Sequence, residues 1–279
     1  MTLSWTRIGA IAILAFLATG GAGCTLVNKI RAKDELNASA RAYKEGHFEE
    51  AEAHAKRALY LDPTNRTAMI FIARVIHQQY RPGVDQPDNI QRARDAIQAY
   101  QQILLIDPKN EEAYKAISVL YAAIKDDAKL REWILKRAND PNMKPEQRSE
   151  AFAILAGKDW DCSFKITELP DVKVTDPTKP AAVTYKKPKE QKDFDRIQRC
   201  VVSGLEEAET AIKFDPNNES AWSYKQNLLL EDAKIAFMNG DMAQKAQYEK
   251  QAEAAGKRAA ALFEERRKRE EAATPAPAK

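Results

Sequence analysis

The stretch Ala58-Leu-Tyr-Leu-Asp62-Pro63-Thr-Asn65 returns as Ile103-Leu-Leu-Ile-Asp107-Pro108-Lys-Asn110 and again as Ala211-Ile-Lys-Phe-Asp215-Pro216-Asn-Asn218. A weaker copy reads Arg137-Ala-Asn-Asp140-Pro141-Asn142. In each, apolar residues run to the last turn of a helix. Proline then stops it, because its ring removes an N–H and clashes with the turn behind. The Asn beyond is placed to cap the next helix. One phrase repeated means one helical unit repeated. Pro108 to Pro141 is 33 positions, Pro63 to Pro108 is 45 and Pro141 to Pro216 is 75. The last two intervals therefore contain added segments.

Upstream of the first phrase stands Tyr43-Lys-Glu-Gly46-His-Phe48-Glu-Glu-Ala51, with Ala55 and Ala58 behind it. Gly46 permits a tight turn between two helices, and the alanines let them approach closely. These residues resemble the tetratricopeptide repeat (TPR), a helix–turn–helix of about 34 residues. The resemblance covers roughly residues 30–160 and 193–265. It implies an all-α, right-handed α-solenoid of about five helix pairs. The 45-residue interval holds a loop-like insertion, Arg81-Pro82-Gly83-Val84-Asp85-Gln86-Pro87. The 75-residue interval holds a larger one at 161–192, carrying Pro170, Pro177, Pro180 and Pro188. Its short alternating pieces, Ser163–Thr167 and Val183–Tyr185, predict a hairpin. The expected layout is a signal peptide at 1–23, then repeats 1–3 with the first helix of repeat 4 at 24–160. After the insertion, 193–271 completes the repeats with a capping helix, and 272–279 is a flexible tail.

Composition agrees with a helical chain. Ala, Glu, Lys, Gln and Arg are abundant while glycine numbers only 10 in 279 residues. Lys and Arg total 44 against 41 Asp and Glu, a net charge of +3, too balanced for a nucleic-acid binder.

The N-terminus speaks to location. Arg7 is the only charged residue before Lys29, and Ile8–Val27 is uncharged. Small residues Gly20-Gly21-Ala22-Gly23 then precede Cys24. A basic start, an apolar core and a small-residue site form a secretory signal. With the cysteine, the pattern resembles a bacterial lipobox, although Gly21 stands where that box has Leu. The resemblance implies lipid on Cys24 and a membrane-anchored chain facing the periplasm. Thr25 in place of Asp after the cysteine favours the outer membrane. Plain cleavage and an uncleaved anchor are the alternatives, since 20 residues suffice to span a bilayer. If Cys24 takes lipid, Cys162 and Cys200 remain as an even pair in an oxidising compartment, which predicts a disulfide; two buried free thiols are the alternative.

No G-x-S-x-G, H-E-x-x-H, G-x-x-x-x-G-K or G-x-G-x-x-G occurs, and His47, His54 and His77 are scattered. No enzyme, cofactor, metal or small-molecule substrate is expected. The remote enzymatic reading uses Asp159, Asp161 and Tyr185 around the insertion. The TPR resemblance instead implies a protein or peptide partner on the concave face, lined by the first helix of each pair. Carried over by position, that face comprises Tyr43 and Lys44; Ile70, Arg74, His77 and Gln78; Lys115 and Val119; and Ser223, Asn227 and Glu231. Some family members grip a carboxylate with Lys followed four residues later by Asn. Here Lys115 is followed by Val119 and Asn227 is preceded by Ser223, so that clamp is absent. The expected function is a protein-interaction scaffold in the envelope, or alternatively an accessory subunit docking through 161–192.

Overall fold

The computed structural model describes the backbone of residues 6–176 and 179–273, and the side chains of 25–175 and 183–273. The signal peptide at 1–23, lipidation at Cys24 and the end of the tail at 274–279 lie outside the described side chains. The helices are α1 (Thr6–Lys44), α2 (Phe48–Leu61), α3 (Arg66–Gln79), α4 (Pro87–Ile106), α5 (Glu111–Ala123), α6 (Asp127–Ala138), α7 (Pro145–Thr167), α8 (Gln191–Phe214), α9 (Glu219–Met238) and α10 (Met242–Ala273). Strands β1 (Lys173–Asp176) and β2 (Lys179–Tyr185) lie between α7 and α8. Among the described residues the fold is all-α apart from this hairpin. Among the described residues no helix is long and apolar enough to cross a membrane.

The repeated phrase works through local backbone chemistry. Asp62, Asp107 and Asp215 end α2, α4 and α8 with φ between −130° and −143°, the extended geometry a following proline imposes. Each Asp carbonyl then accepts the N–H of the Asn three residues on, closing a turn. The side chains of Asn65, Asn110 and Asn218 accept the N–H groups of Ala68, Ala113 and Ala221, each at 3.0 Å. The weaker copy departs from this rule. Asn142 does not cap α7; Lys144 takes the cap position, its N–H donating to the Gln147 side chain at 3.2 Å.

Within pairs, the turns after α1, α5 and α9 share one hydrogen-bond pattern. The N–H groups of Gly46 and His47 donate to Tyr43 and Ala42. Those of Lys125 and Asp126 donate to Ala122 and Tyr121, and those of Gly240 and Asp241 to Phe237 and Ala236. This is the Schellman arrangement, which needs a left-handed residue at its centre. Gly46 and Gly240 supply φ of 80° and 79°; Lys125 reaches 58° despite its side chain.

The chain divides into two compact units, 1–130 and 131–279, the boundary falling inside α6. In the first, Ala32, Ala58 and Ala68 join α1, α2 and α3, and Ala42, Ala51 and Val75 repeat that contact one level along. In the second, Ala156, Ala208 and Leu228 hold α7, α8 and α9 together. Leu229, Ala252 and Ala255 seat α10 on α9. Two helical glycines set the spacing: a Cβ on Gly157 would meet the Tyr224 ring at 2.6 Å, and one on Gly204 would meet Leu228 at 2.8 Å.

The insertion is shorter than expected, 168–190 rather than 161–192. Ser163–Thr167 is the last turn of α7, not a strand. Ser163, Ile166 and Thr167 are buried at helical spacing, with Ile166 packed against Phe194 and Ile197 of α8. The alternating pattern of those five residues also fits i, i+3, i+4 burial, and tertiary contact selects that reading. β1 instead uses Lys173–Asp176 and pairs antiparallel with β2, Lys173 opposite Tyr185 and Val174 opposite Thr184.

Candidate functional site

In the first unit, the first helices α1, α3 and α5 bring several expected contact residues onto related turns. Arg74 donates from Nε and Nη2 to both carboxylate oxygens of Glu112 on α5, at 2.7 and 2.6 Å. That bidentate bond raises the Arg74 pKa and holds the Glu112 carboxyl below its usual range. Tyr43 packs its ring against Phe48 and Phe71, centroids 5.5 and 5.6 Å apart. His77 stands edge-on to Tyr100, its Nδ1 3.3 Å from the phenol oxygen. Burial lowers the His77 pKa and pushes Tyr100 up to about 12, so both are neutral at pH 7.

Other residues stay available. Lys44, Gln78 and Lys115 are exposed, and neither lysine has an ion-pair partner among the described residues. Val119 is 59% exposed on α5. Ile70, one turn before Arg74, borders a shallow recess of about 30 Å³ lined also by Arg66, Met69, Ile103, Ile106, Asp107 and Asn110. The face thus combines an aliphatic recess, a guanidinium held by a neighbouring carboxylate and two free ammonium groups.

In the second unit, Ser223 and Asn227 are partly exposed on α9, but Glu231 is not a contact residue. It is 1% exposed, accepts from the Thr167 hydroxyl at 2.8 Å and pairs with Lys234 at 2.7 Å. Steps of four residues overrun the helical period by about 40° each. Extending the 223–227 stripe by four more therefore turns Glu231 inward, and the exposed position is Leu230, at 39%.

Sequence reasoning also missed Lys234. Its ammonium reaches Glu231 and Glu168 at 2.7 and 3.2 Å and lies 5.2 and 4.9 Å from the ring centres of Phe164 and Tyr185. Despite burial, these acidic partners hold its pKa up. Glu168 in turn pairs with Lys173, so one cation fastens both ends of the insertion to α9. The sequence signal was an acid and a base three apart, Glu231 and Lys234, in the second half of α9, where Asp232 is the one other charge.

Cys162 and Cys200 form a disulfide, their Cα atoms 6.2 Å apart. Each lies inside its helix, Cys162 in α7 and Cys200 in α8, so the bond clamps the helix pair rather than the chain exits. Asp159, Asp161 and Tyr185 do not share a partner. Asp161 pairs with Lys165 and Tyr185 covers Lys234. Asp159 accepts from Arg131 at 3.2 Å, and Arg131 also holds Ser203 and Glu207. Asp159 Oδ2 and Glu207 Oε2 are buried without a partner. Burial and the adjacent Asp159 charge push Glu207 up to about 7. Among the described residues no three His, Cys, Asp or Glu side chains converge as metal ligands.

The fold defines a helical-repeat protein built of paired helices. The family described as protein prenyltransferase alpha subunit repeat matches residues 204–232, a helix–turn–helix from α8 into α9. No curated protein matches the chain. Solved structures with a general likeness include PilF of Pseudomonas aeruginosa, at 15% identity over 86% of this chain and 87% of that one, TM-score 0.38. MamA shows 11% identity over 79% and 92%, TM-score 0.37. YrrB, described as a TPR protein with an unusual peptide-binding site, shows 12% over 77% and 90%, TM-score 0.35.

Proposed function

We propose that the chain is a non-enzymatic scaffold of the bacterial cell envelope that binds a protein or peptide partner through its first-helix face. The lipid-bearing N-terminus at Cys24 anchors it facing the periplasm, with the outer membrane favoured. The face around Arg74 carries the reading. An aliphatic side chain of the partner packs over the Ile70 recess, while Lys44 and Lys115 meet its acidic groups. The bidentate Arg74–Glu112 pair holds these two side chains in place, so less entropy is lost there on binding. Among the described residues of the face, none provides a nucleophile beside a base.

The test is affinity capture from envelope extract with the intact chain. Ile70→Asp combined with Lys115→Glu is expected to lose the partner that the wild type retains; equal capture refutes the assignment. Fatty-acid labelling lost in Cys24→Ser supports the anchor, and equal labelling of the variant refutes it. The alternative, an accessory subunit docking through its insertion, is favoured by the rigid attachment of the hairpin at Lys234. In that case deletion of 168–190, rather than the Ile70 and Lys115 changes, abolishes capture.

A further inference from the structure

Among the described residues the most exposed large apolar side chains are Tyr60 at 85%, Leu105 at 75% and Leu26 at 63%. All three lie at one edge of the first unit. Glu35 of α1 meets His54 and Arg57 of α2, and Ala32 packs with Ala58. That antiparallel register, continued to the end of α2, brings Tyr60 level with Ile30, which is also exposed. The turn 62–65 then starts α3, which runs antiparallel to α4: His77 meets Tyr100, while Met69 and Ile70 share a recess with Ile103 and Ile106. α4 therefore ends at the edge where α2 ends. Leu105 holds the place in its repeated phrase that Tyr60 holds in the first, two interhelical spacings away, or roughly 20 Å. Single exposed apolar residues need no explanation, but a set recurring at one edge marks a contact surface.

The chain leading into this edge identifies what the surface meets. The α1 backbone continues from it back to Thr6, and the uncharged run Ile8–Val27 lies along that stretch. Whether the run is retained as an anchor or Cys24 takes lipid, the bilayer begins within about 7 Å of Leu26, two residues on. Lys29, Arg31 and Lys33 follow, exposed and without ion-pair partners among the described residues, against the single charge of Asp34. Cations beside a membrane entry are drawn to anionic headgroups. Tyrosine favours the headgroup boundary, where its ring is buried and its hydroxyl stays wet. We propose that this edge rests on the bilayer surface, with Ile30, Tyr60 and Leu105 seated at the headgroup boundary. The helices of the first unit then stand on the membrane, and the turns after α1 and α3 point away from it. This rests on the anchored reading above and adds a second contact that an anchor alone does not require.

The test reconstitutes the full chain, purified from membranes, into vesicles of phosphatidylethanolamine and phosphatidylglycerol. Tyr60→Cys, Leu105→Cys and, on the opposite edge, His47→Cys each receive an environment-sensitive fluorophore, and the chain without an added cysteine gives the background. Flotation reads the anchor, and quenching by nitroxide-bearing lipid reads the edge. Emission at 60 and 105 should fall by at least about half while that at 47 holds, as side chains at the headgroup boundary require. All three positions are exposed, and if Tyr60→Cys fails to fold, Leu105→Cys carries the test. A chain that floats without quenching at 60 and 105 overturns the proposal and leaves the anchor standing; one that does not float overturns both. Equal quenching at all three positions overturns the upright arrangement. So does a dimer in sedimentation whose labels at 60 and 105 are shielded but not quenched by lipid, which would make the occupant a second copy of the chain.

Discussion

Replacing Glu207 with Gln should stabilise the protein at alkaline pH and leave it unchanged in acid. Arg131 is shared between Asp159 and Glu207, and one oxygen of each carboxylate is buried without a partner. Glu207 therefore keeps its proton to about pH 7, against 4.5 when exposed. Below 4.5 both folded and unfolded chains bind this proton, and the group has no effect. Between 4.5 and 7 the folded chain retains a proton that the unfolded chain has released, so stability falls as pH rises. Above 7 the full difference is lost, on the order of 3 kcal/mol from about 1.4 kcal/mol per pKa unit. Gln mimics the protonated side chain and removes this decline. Urea unfolding of both proteins, followed at 222 nm from pH 4 to 8, should give curves that coincide near pH 4 and separate by about 2–3 kcal/mol at pH 8, with the Glu207→Gln variant the more stable. Asp232, pushed up to about 6 by burial, titrates in the same window but is common to both and cancels. Parallel profiles, or a variant less stable at pH 8, would refute the reasoning.

Lys234→Met leaves the Glu231 carboxylate buried and uncompensated, so a loss of about 3–5 kcal/mol is expected. Adding Glu231→Leu should recover most of it by denaturant titration, and no recovery would show that the pair is not the cause. Removing the disulfide with Cys162→Ser and Cys200→Ser frees a 38-residue separation in the unfolded chain and should cost about 2–4 kcal/mol, against roughly 4 from loop entropy; an unchanged urea midpoint would count against the bond. Lys125→Gly should stabilise by up to about 1 kcal/mol, because φ of 58° penalises a side chain, while Gly46→Ala should destabilise by a similar amount. Thermal melts that move the two in the same direction would contradict the shared turn geometry.

The legible part of the fold is the part written in short windows. Asp-Pro-x-Asn specifies an extended residue, a stopped helix, a turn and a cap within four positions, so three boundaries follow from neighbouring residues alone. The copy at 140–142, which lacks the spacer before Asn, is the one whose cap moved to Lys144. Of the contact residues, Lys44, Gln78, Lys115 and Val119 are exposed on their helices, and Ile70 lines a recess. Arg74, Tyr43 and His77 are on the expected helix but are already engaged by Glu112, Phe71 and Tyr100, partners distant in sequence.

What the sequence by itself determined is therefore the helical repeat: where helices stop and how they are capped. Tertiary structure alone decided which side of each helix faces inward. It kept Ser163–Thr167 helical by burying Ile166, turned Glu231 inward and Leu230 outward, and gathered Thr167, Glu168, Glu231 and Tyr185 around Lys234. The physical reason is one of range. A cap is settled by hydrogen bonds within one turn, whereas each residue turns a helix by about 100°, and only the helix packed against it fixes where that rotation comes to rest.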